Sequence, residues 1–282
     1  MPSFKPQKLA LITGASSGIG YATALHMAQK GYRVIGTSRS MARLEGLGRE
    51  AAANRLPVTA VELDINSAQA VDDEMPRLLE EHGPVDVLVN NAGYSLWGPM
   101  QTLTEEELKA VFETNYFAAF RLIKHVLPGM IERRSGHIIN MSSIVGRMGT
   151  PFNGAYVSTK WALEGMSESL RTEVWPFGVR VSVVEPGLYR TNFFTSQVRG
   201  TASEDKASPY HPYVARFDAR HKTYNVFGKD PAQVAKVVHR IARSRRPAFR
   251  YPVGIESTFG TFGKKVVPER LFQWALSRFT LR

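Results

Sequence analysis

Short apolar runs alternate with longer stretches of helical periodicity along the first two thirds of the chain. Lys8–Thr13, Arg33–Thr37, Val58–Leu63, Val85–Asn90, His137–Met141 and Arg180–Val184 are short, rich in Val, Ile and Leu, and only partly alternating. That is the pattern of parallel strands covered on both faces. Between them, residues 18–30, 67–81, 104–131 and 155–176 are long enough for crossover helices, and Gly31 is placed to close the first. Strand, helix, strand repeated in this way predicts an α/β fold, a doubly wound parallel sheet of about seven strands with helices on both faces. The alternation fades over residues 190–230, which are polar and aromatic and read as a substrate lid or insertion. A helix at 231–243, with Pro231 in its first turn, a strand near 248–253 and a helix near 268–278 are expected to close a single domain spanning 1–282.

Composition narrows the chemistry. A chain of 282 residues with 43% apolar and 22% charged residues is not a disordered one. It contains no Cys, which removes a disulfide framework, a thiolate nucleophile and Cys-based metal centres. This suits a reducing compartment, and the expected location is cytoplasmic. Lys5 and Lys8 before Leu9–Thr13 resemble the start of a signal sequence, but the apolar run is short and ends in Gly14, so a buried first strand is expected. No apolar run approaches the ~18–20 residues of a membrane span. The formal net charge is +11, and residues 240–282 hold ten basic residues against two acidic ones. A basic segment at 245–282 suits a solvated edge or peripheral contact with an anionic membrane. It carries no recognised nucleic-acid motif, so no specific nucleic-acid partner is expected.

The first strand runs into Thr13-Gly14-Ala15-Ser16-Ser17-Gly18-Ile19-Gly20. A glycine-rich turn between strand and helix lets backbone N–H groups approach a phosphate, and the helix dipole favours the anion. Gly14 permits the turn, Gly18 the close approach and Gly20 tight helix packing, with Ser16, Ser17 and Ile19 completing the cradle. The end of the second strand, where an acid would read the ribose of NAD, is Thr37-Ser38-Arg39-Ser40. A guanidinium there can fork onto a 2′-phosphate that a carboxylate would repel, so Ser38 and Arg39 favour NADP over NAD. Asp64, in Leu63-Asp64-Ile65, is either an adenine partner or the N-cap of the next helix. Asn90-Asn91-Ala92-Gly93 ends the fourth strand with small residues that fit a ligand crevice or a plain turn.

Tyr156 and Lys160 stand four apart in an expected helix and share a face. A free phenol titrates near ~10 and is a poor base at neutral pH, whereas a cation one turn away favours the phenolate. Such a tunable acid/base is what alcohol–carbonyl interconversion requires. Ser143, after the fifth strand, is placed to hydrogen-bond a substrate oxygen.

Together Thr13–Gly20, Asn90–Gly93, Asn115, Ser143, Tyr156, Lys160 and Pro186-Gly187, in this order over about residues 8–192, resemble the short-chain dehydrogenase/reductase family. The resemblance implies a Rossmann-type nucleotide-binding domain without a metal. It implies Tyr156 as general acid/base, and Lys160 as the group that lowers its pKa and binds the nicotinamide ribose. Ser143 would polarise the substrate oxygen, the thirteen-residue step to Tyr156 favouring it over Ser142, and Asn115 would hold a water linking Lys160 to solvent. Asp64 and Ile65 would contact adenine, Asn91, Ala92 and Gly93 the cofactor, and Pro186, Gly187 and Thr191 the nicotinamide. A homodimer or homotetramer through the helices of 104–131 and 155–176 is also implied.

Tyr94–Pro99 and Ala162–Arg171 look like the branch with hydroxysteroid and retinol dehydrogenases. Trp97, Met148, Phe152, Phe193 and Phe194 are candidates for an apolar substrate pocket, or for core and lid packing. The function expected is NADP(H)-dependent exchange of hydride between cofactor and a hydrophobic ketone or alcohol. An NAD-dependent member, a nucleotide-sugar epimerase and a non-catalytic NADP sensor are the alternatives. Thr13–Gly20 lacks the epimerase spacing, and an intact Tyr156–Lys160 pair disfavours the sensor.

Overall fold

The computed structural model describes residues 7–189, 191, 198–203, 205–224 and 229–281, with side chains omitted for 218–224 and 279–281. The strands are β1 (Leu9–Thr13), β2 (Arg33–Ser38), β3 (Val58–Glu62), β4 (Val87–Asn90), β5 (Leu96–Trp97), β6 (Gly136–Met141), β7 (Val179–Pro186), β8 (Val198–Arg199) and β9 (Arg250–Val253). The helices are α1 (Gly18–Gln29), α2 (Met41–Ala53), α3 (Ala68–His82), α4 (Glu105–Phe112), α5 (Ala118–Glu132), α6 (Gly154–Val174), α7 (His211–Tyr224), α8 (Ala232–Arg243), α9 (Ile255–Val266) and α10 (Glu269–Leu281).

Seven strands form one parallel sheet in the order β3-β2-β1-β4-β6-β7-β9, as the alternation predicts. The order reverses between β1 and β4, and ligands of such sheets bind outside the strand ends at that reversal. One face is packed by α1, α2 and α8 through Ala24, Met27, Leu44, Leu47, Val234 and Val238. The other is packed by α3, α5 and α6 through Val71, Met75, Leu122, Met130 and Val174. Both layers are mainly apolar at the sheet, with a few buried polar side chains such as Asn140, which bonds Ser167 of α6, so the central strands read as apolar runs rather than as alternation.

Local chemistry sets the helix ends. Ser67 caps α3 by accepting the Ala70 N–H at 3.1 Å, so the N-cap reading of Asp64 falls. Thr104 and Glu107 form a reciprocal capping box on α4. Gly31, at φ 86°, follows α1 in the left-handed conformation that favours glycine.

Four elements differ from expectation, one of them α9, since no helix was foreseen between the strand near 248–253 and the helix near 268–278. The helix expected over 104–131 is broken by a π-helical turn, Glu113–Phe117, between α4 and α5. Helix α2 was not foreseen, because Gly46 and Gly48 interrupt its apolar face. Part of the 190–230 insertion is regular: β8 pairs with β5, and α7 sets Val214 and Phe217 against Trp97.

Candidate active site

At the sheet reversal lies a cavity of about 1180 Å³. One end is the glycine loop. Thr13, the last residue of β1, accepts the N–H groups of Asn91 and Ala92 on its hydroxyl, both at 3.0 Å. The Asn91 side chain returns a bond to the Thr13 carbonyl at 2.9 Å. Asn91 therefore ties the loop after β4 to the loop after β1. Gly14 and Gly18 turn at φ 66° and 58°. A Cβ on Gly20 would press on the Gly14 carbonyl, so only glycine lets α1 begin this close to β1.

Ser16, Ser17, Gly18 and Ile19 line this end, with Ser38 and Arg39 beyond them. Arg43, in the first turn of α2, joins Arg39 on the same wall. Sequence reasoning missed Arg43 because it missed α2. Leu63, Ile65 and Asn66 complete that wall. Asp64 is exposed, and its carboxylate accepts the Asn66 N–H at 3.1 Å.

At the other end Ser143, Tyr156 and Lys160 converge. Ser143 ends the turn after β6, and its hydroxyl is hydrogen-bonded to the Tyr156 phenol. The alternative serine, Ser142, is buried, and its hydroxyl has no hydrogen-bond partner among the described residues. Lys160 Nζ lies 5.5 Å from the Tyr156 ring centroid and donates to the Met141 carbonyl at 2.9 Å. Burial pushes its pKa down to about 8, partly offset by the Glu164 carboxylate one turn on. Burial also pushes the Tyr156 phenol up, and the Ser143 bond is the group that pulls it back. Lys160, expected to lower the phenol's pKa, points its Nζ at the Met141 carbonyl. A protonated phenol at neutral pH is the form that donates a proton.

The π-helical turn swings Asn115 inward. Its side chain donates to the Tyr94 carbonyl at 2.9 Å and to the Thr159 hydroxyl at 3.0 Å, and accepts the Tyr94 N–H at 3.0 Å. A void of about 10 Å³ lies between Asn115 and Lys160, bordered by Thr13, Asn90 and Ala92. That is the size of one water. π-bulges recur at functional sites because they aim a side chain that an α-helix would turn away.

Beneath Pro186 and Gly187, which line the cavity with Thr191, lies a buried charge cluster. Arg147 meets Glu185 at 3.4 Å, and Arg250 bonds Glu164 at 3.0 Å and Glu168 at 2.8 Å. Burial, followed by the Glu164 charge, pushes Glu185 up to about 7. The cluster fastens the turn after Ser143 to β7 and so holds Ser143 in place.

Residues 8–201 match the family described as short chain dehydrogenase. A curated relative, the 3-ketodihydrosphingosine reductase of Bacteroides thetaiotaomicron, is 34% identical over 281 residues, covering 98% of each chain. A solved short-chain dehydrogenase from Streptomyces avermitilis superposes with a TM-score of 0.83 at 35% identity, over 98% of this chain and 99% of that one. A metagenomic short-chain oxidoreductase in complex with NADP superposes at 0.69 with 30% identity, over 86% and 95%. The chain belongs to the short-chain dehydrogenase/reductase family.

As a member of that family it is a nucleotide-binding oxidoreductase acting on a CH–OH group. Its residues fit a nicotinamide dinucleotide: a glycine loop whose Gly14 and Gly18 leave no room for a Cβ stands at one end, and Ser143, Tyr156 and Lys160 stand at the other. Between them Gly93 lies so close to Asn115 that a Cβ would sit 2.8 Å from its Oδ1. Past Tyr156 this dehydrogenase/reductase walls its cavity with Met148, Leu188, Val198, Phe217 and Leu276. Of the expected substrate residues, Trp97 and Phe152 are placed differently. The Trp97 ring is fully buried against Phe152, Phe217 and the Arg199 guanidinium. Phe152 holds φ 60°, a left-handed backbone rare outside glycine, and its carbonyl accepts the Gly98 N–H at 2.8 Å. Phe193 and Phe194 lie outside the described residues.

Proposed function

We propose that the chain is an NADP(H)-dependent carbonyl reductase or alcohol dehydrogenase for an apolar substrate. The observation that carries this reading is the convergence of Ser143, Tyr156 and Lys160 on one wall of a cavity whose far end holds Arg39 and Arg43. The bound nicotinamide supplies or accepts the hydride. Ser143 and Tyr156 hold the substrate oxygen, and Tyr156 hands it a proton in the reducing direction. Lys160, with its pKa near neutrality, replaces that proton by way of the Asn115 side of the void. Two guanidiniums at the adenosine end favour a 2′-phosphate, and the NADP-bound structural neighbour is in keeping with that. The apolar wall past Tyr156, and a full-length relative named as the reductase of a sphingoid ketone, favour a lipid-like substrate. Residues 190–230 serve as the substrate lid. Phe117 at the end of the π-helical turn, Phe120 on α5 and Trp161 on α6, all exposed, suit a homodimer or homotetramer.

A screen of NADPH and NADH consumption over aldehydes, ketones, steroids, retinoids and sphingoid ketones tests both halves. NADPH-linked turnover of apolar carbonyls is expected. Preference for NADH would overturn the cofactor assignment, and turnover confined to small polar carbonyls the substrate class.

A further inference from the structure

Helix α9 is docked with its apolar side outward. Ile255, Phe259, Phe262 and Val266 fall at i, i+4, i+7 and i+11, an arc of roughly 60° at 3.6 residues per turn. They are 66, 70, 62 and 56% exposed. The inward side is small and polar: the Ser257 hydroxyl donates to the Glu185 carbonyl at 2.7 Å, and Gly260 rests on Ile144. A helix at the surface of a globular protein ordinarily presents the opposite faces. Helix α10 continues the stripe. Leu271 and Trp274 are exposed, while Phe272 and Leu276, on its other side, are half-buried.

The hairpin's charges are arranged around this stripe. Both acids are paired, Glu256 with Lys229 and Glu269 with Lys264. Lys265 and Arg270 have no carboxylate partner among the described residues, and Arg278 lies over the Trp274 ring at 5.8 Å. No described helix is long and apolar enough to cross a membrane. Exposed Phe, Ile and Trp flanked by unpaired Lys and Arg is the composition of a helix that lies in the headgroup region.

We propose that α9 and α10 form a docking surface for an anionic lipid bilayer. A second copy of the chain is the weaker occupant, because a two-fold contact would bring two surfaces together that both carry Lys265, Arg270 and Arg278 and no unpaired acid among the described residues. The inward side of the same two helices borders the site: Glu256, Gly260 and Leu276 line the substrate cavity. A docked molecule would therefore hold its cavity directly behind the bilayer-facing helices.

The test is co-sedimentation of the full chain with vesicles of phosphatidylcholine alone, or with about one third phosphatidylserine. Binding to the anionic vesicles is expected, with loss in about 0.5 M salt as the charges are screened. The double variant Phe259→Ser, Phe262→Ser should bind roughly tenfold to a hundredfold more weakly, with an unchanged circular dichroism spectrum. Failure of the native chain to sediment, equal binding to neutral vesicles, or undiminished binding by the variant would overturn the proposal. A smaller oligomer for the variant in sedimentation velocity would overturn it too, and identify a protein interface. Should the variant not fold, quenching of native fluorescence by brominated lipid decides: it must diminish in Trp274→Phe, and an unaltered signal would refute the docking geometry. None of these readouts depends on turnover, so they stand apart from the assigned reaction.

Discussion

Replacing Tyr156 by Phe separates catalysis from folding more cleanly than any other change in this site. The ring is buried, and its hydroxyl is hydrogen-bonded to Ser143. The substitution keeps the ring and its packing and removes one oxygen. Stability loses a hydrogen bond worth ~1 kcal/mol and regains part of it, since a desolvated hydroxyl is no longer buried. For a domain of this size a net change of ~1 kcal/mol moves the thermal midpoint by about 2–4 °C. Turnover loses a positioned proton donor worth ~10²–10⁴ in rate, or about 3–5 kcal/mol of barrier at 1.36 kcal/mol per decade. NADPH affinity should hold within a few-fold, because Arg39, Arg43 and the glycine loop are untouched. The assay is NADPH consumption beside a fluorescence titration of NADPH and a thermal melt. A fall in turnover of less than tenfold, or a parallel loss of cofactor affinity, would refute the assignment of Tyr156 as the proton donor.

Arg39→Ala should raise the KM for NADPH roughly tenfold to a hundredfold, one charge-assisted phosphate contact, and leave that for NADH unchanged; equal effects on both cofactors would remove it from the 2′-phosphate. Gly20→Val forces a Cβ onto the Gly14 carbonyl and the Asn91 amide, so it should cost about 1–3 kcal/mol of stability and most cofactor affinity, as read by melting with and without NADPH. Glu185 titrates at about 7 in the fold and near 4.3 in an unfolded chain. The native state therefore holds its proton more tightly, and that stabilisation is complete below pH ~4 and lost as pH rises through ~7. The difference in thermal midpoint between Glu185→Gln and the native chain should accordingly grow in the variant's favour from pH 5 to 8; parallel curves would contradict the buried-carboxylate account.

The central strands β1, β4, β6 and β7 were legible because they are buried on both faces and so leave a nearly uninterrupted apolar run. Helix α2 was not, because Gly46 and Gly48 break its periodicity and only packing of Leu44, Leu47 and Ala51 on the sheet holds it helical. The candidate catalytic residues could be named because Thr13–Gly20, Asn90–Gly93, Ser143, Tyr156 and Lys160 occur together in an order that resembles a known family; the Tyr156–Lys160 spacing by itself is common. Trp97 and Phe152 could not be placed, since an aromatic side chain looks the same in a sequence whether it lines a cavity or is buried against its neighbours. Helix α9 was not foreseen at all, because three glycines and a run of Ser and Thr (Gly254-Ile255-Glu256-Ser257-Thr258-Phe259-Gly260-Thr261-Phe262-Gly263) favour a loop by propensity.

By itself the sequence determined the parallel sheet, the glycine cradle, the Ser143–Tyr156–Lys160 grouping and a cation where a ribose acid would stand. Those are properties of neighbours along the chain, set by backbone sterics and helical geometry. Tertiary structure alone decided that burial raises the Tyr156 phenol and lowers Lys160, that a π-helical turn swings Asn115 inward, that Arg43 joins Arg39, and that α9 faces solvent with its phenylalanines. Each depends on desolvation or on contact between elements far apart in sequence, and such effects exist only once the chain has packed.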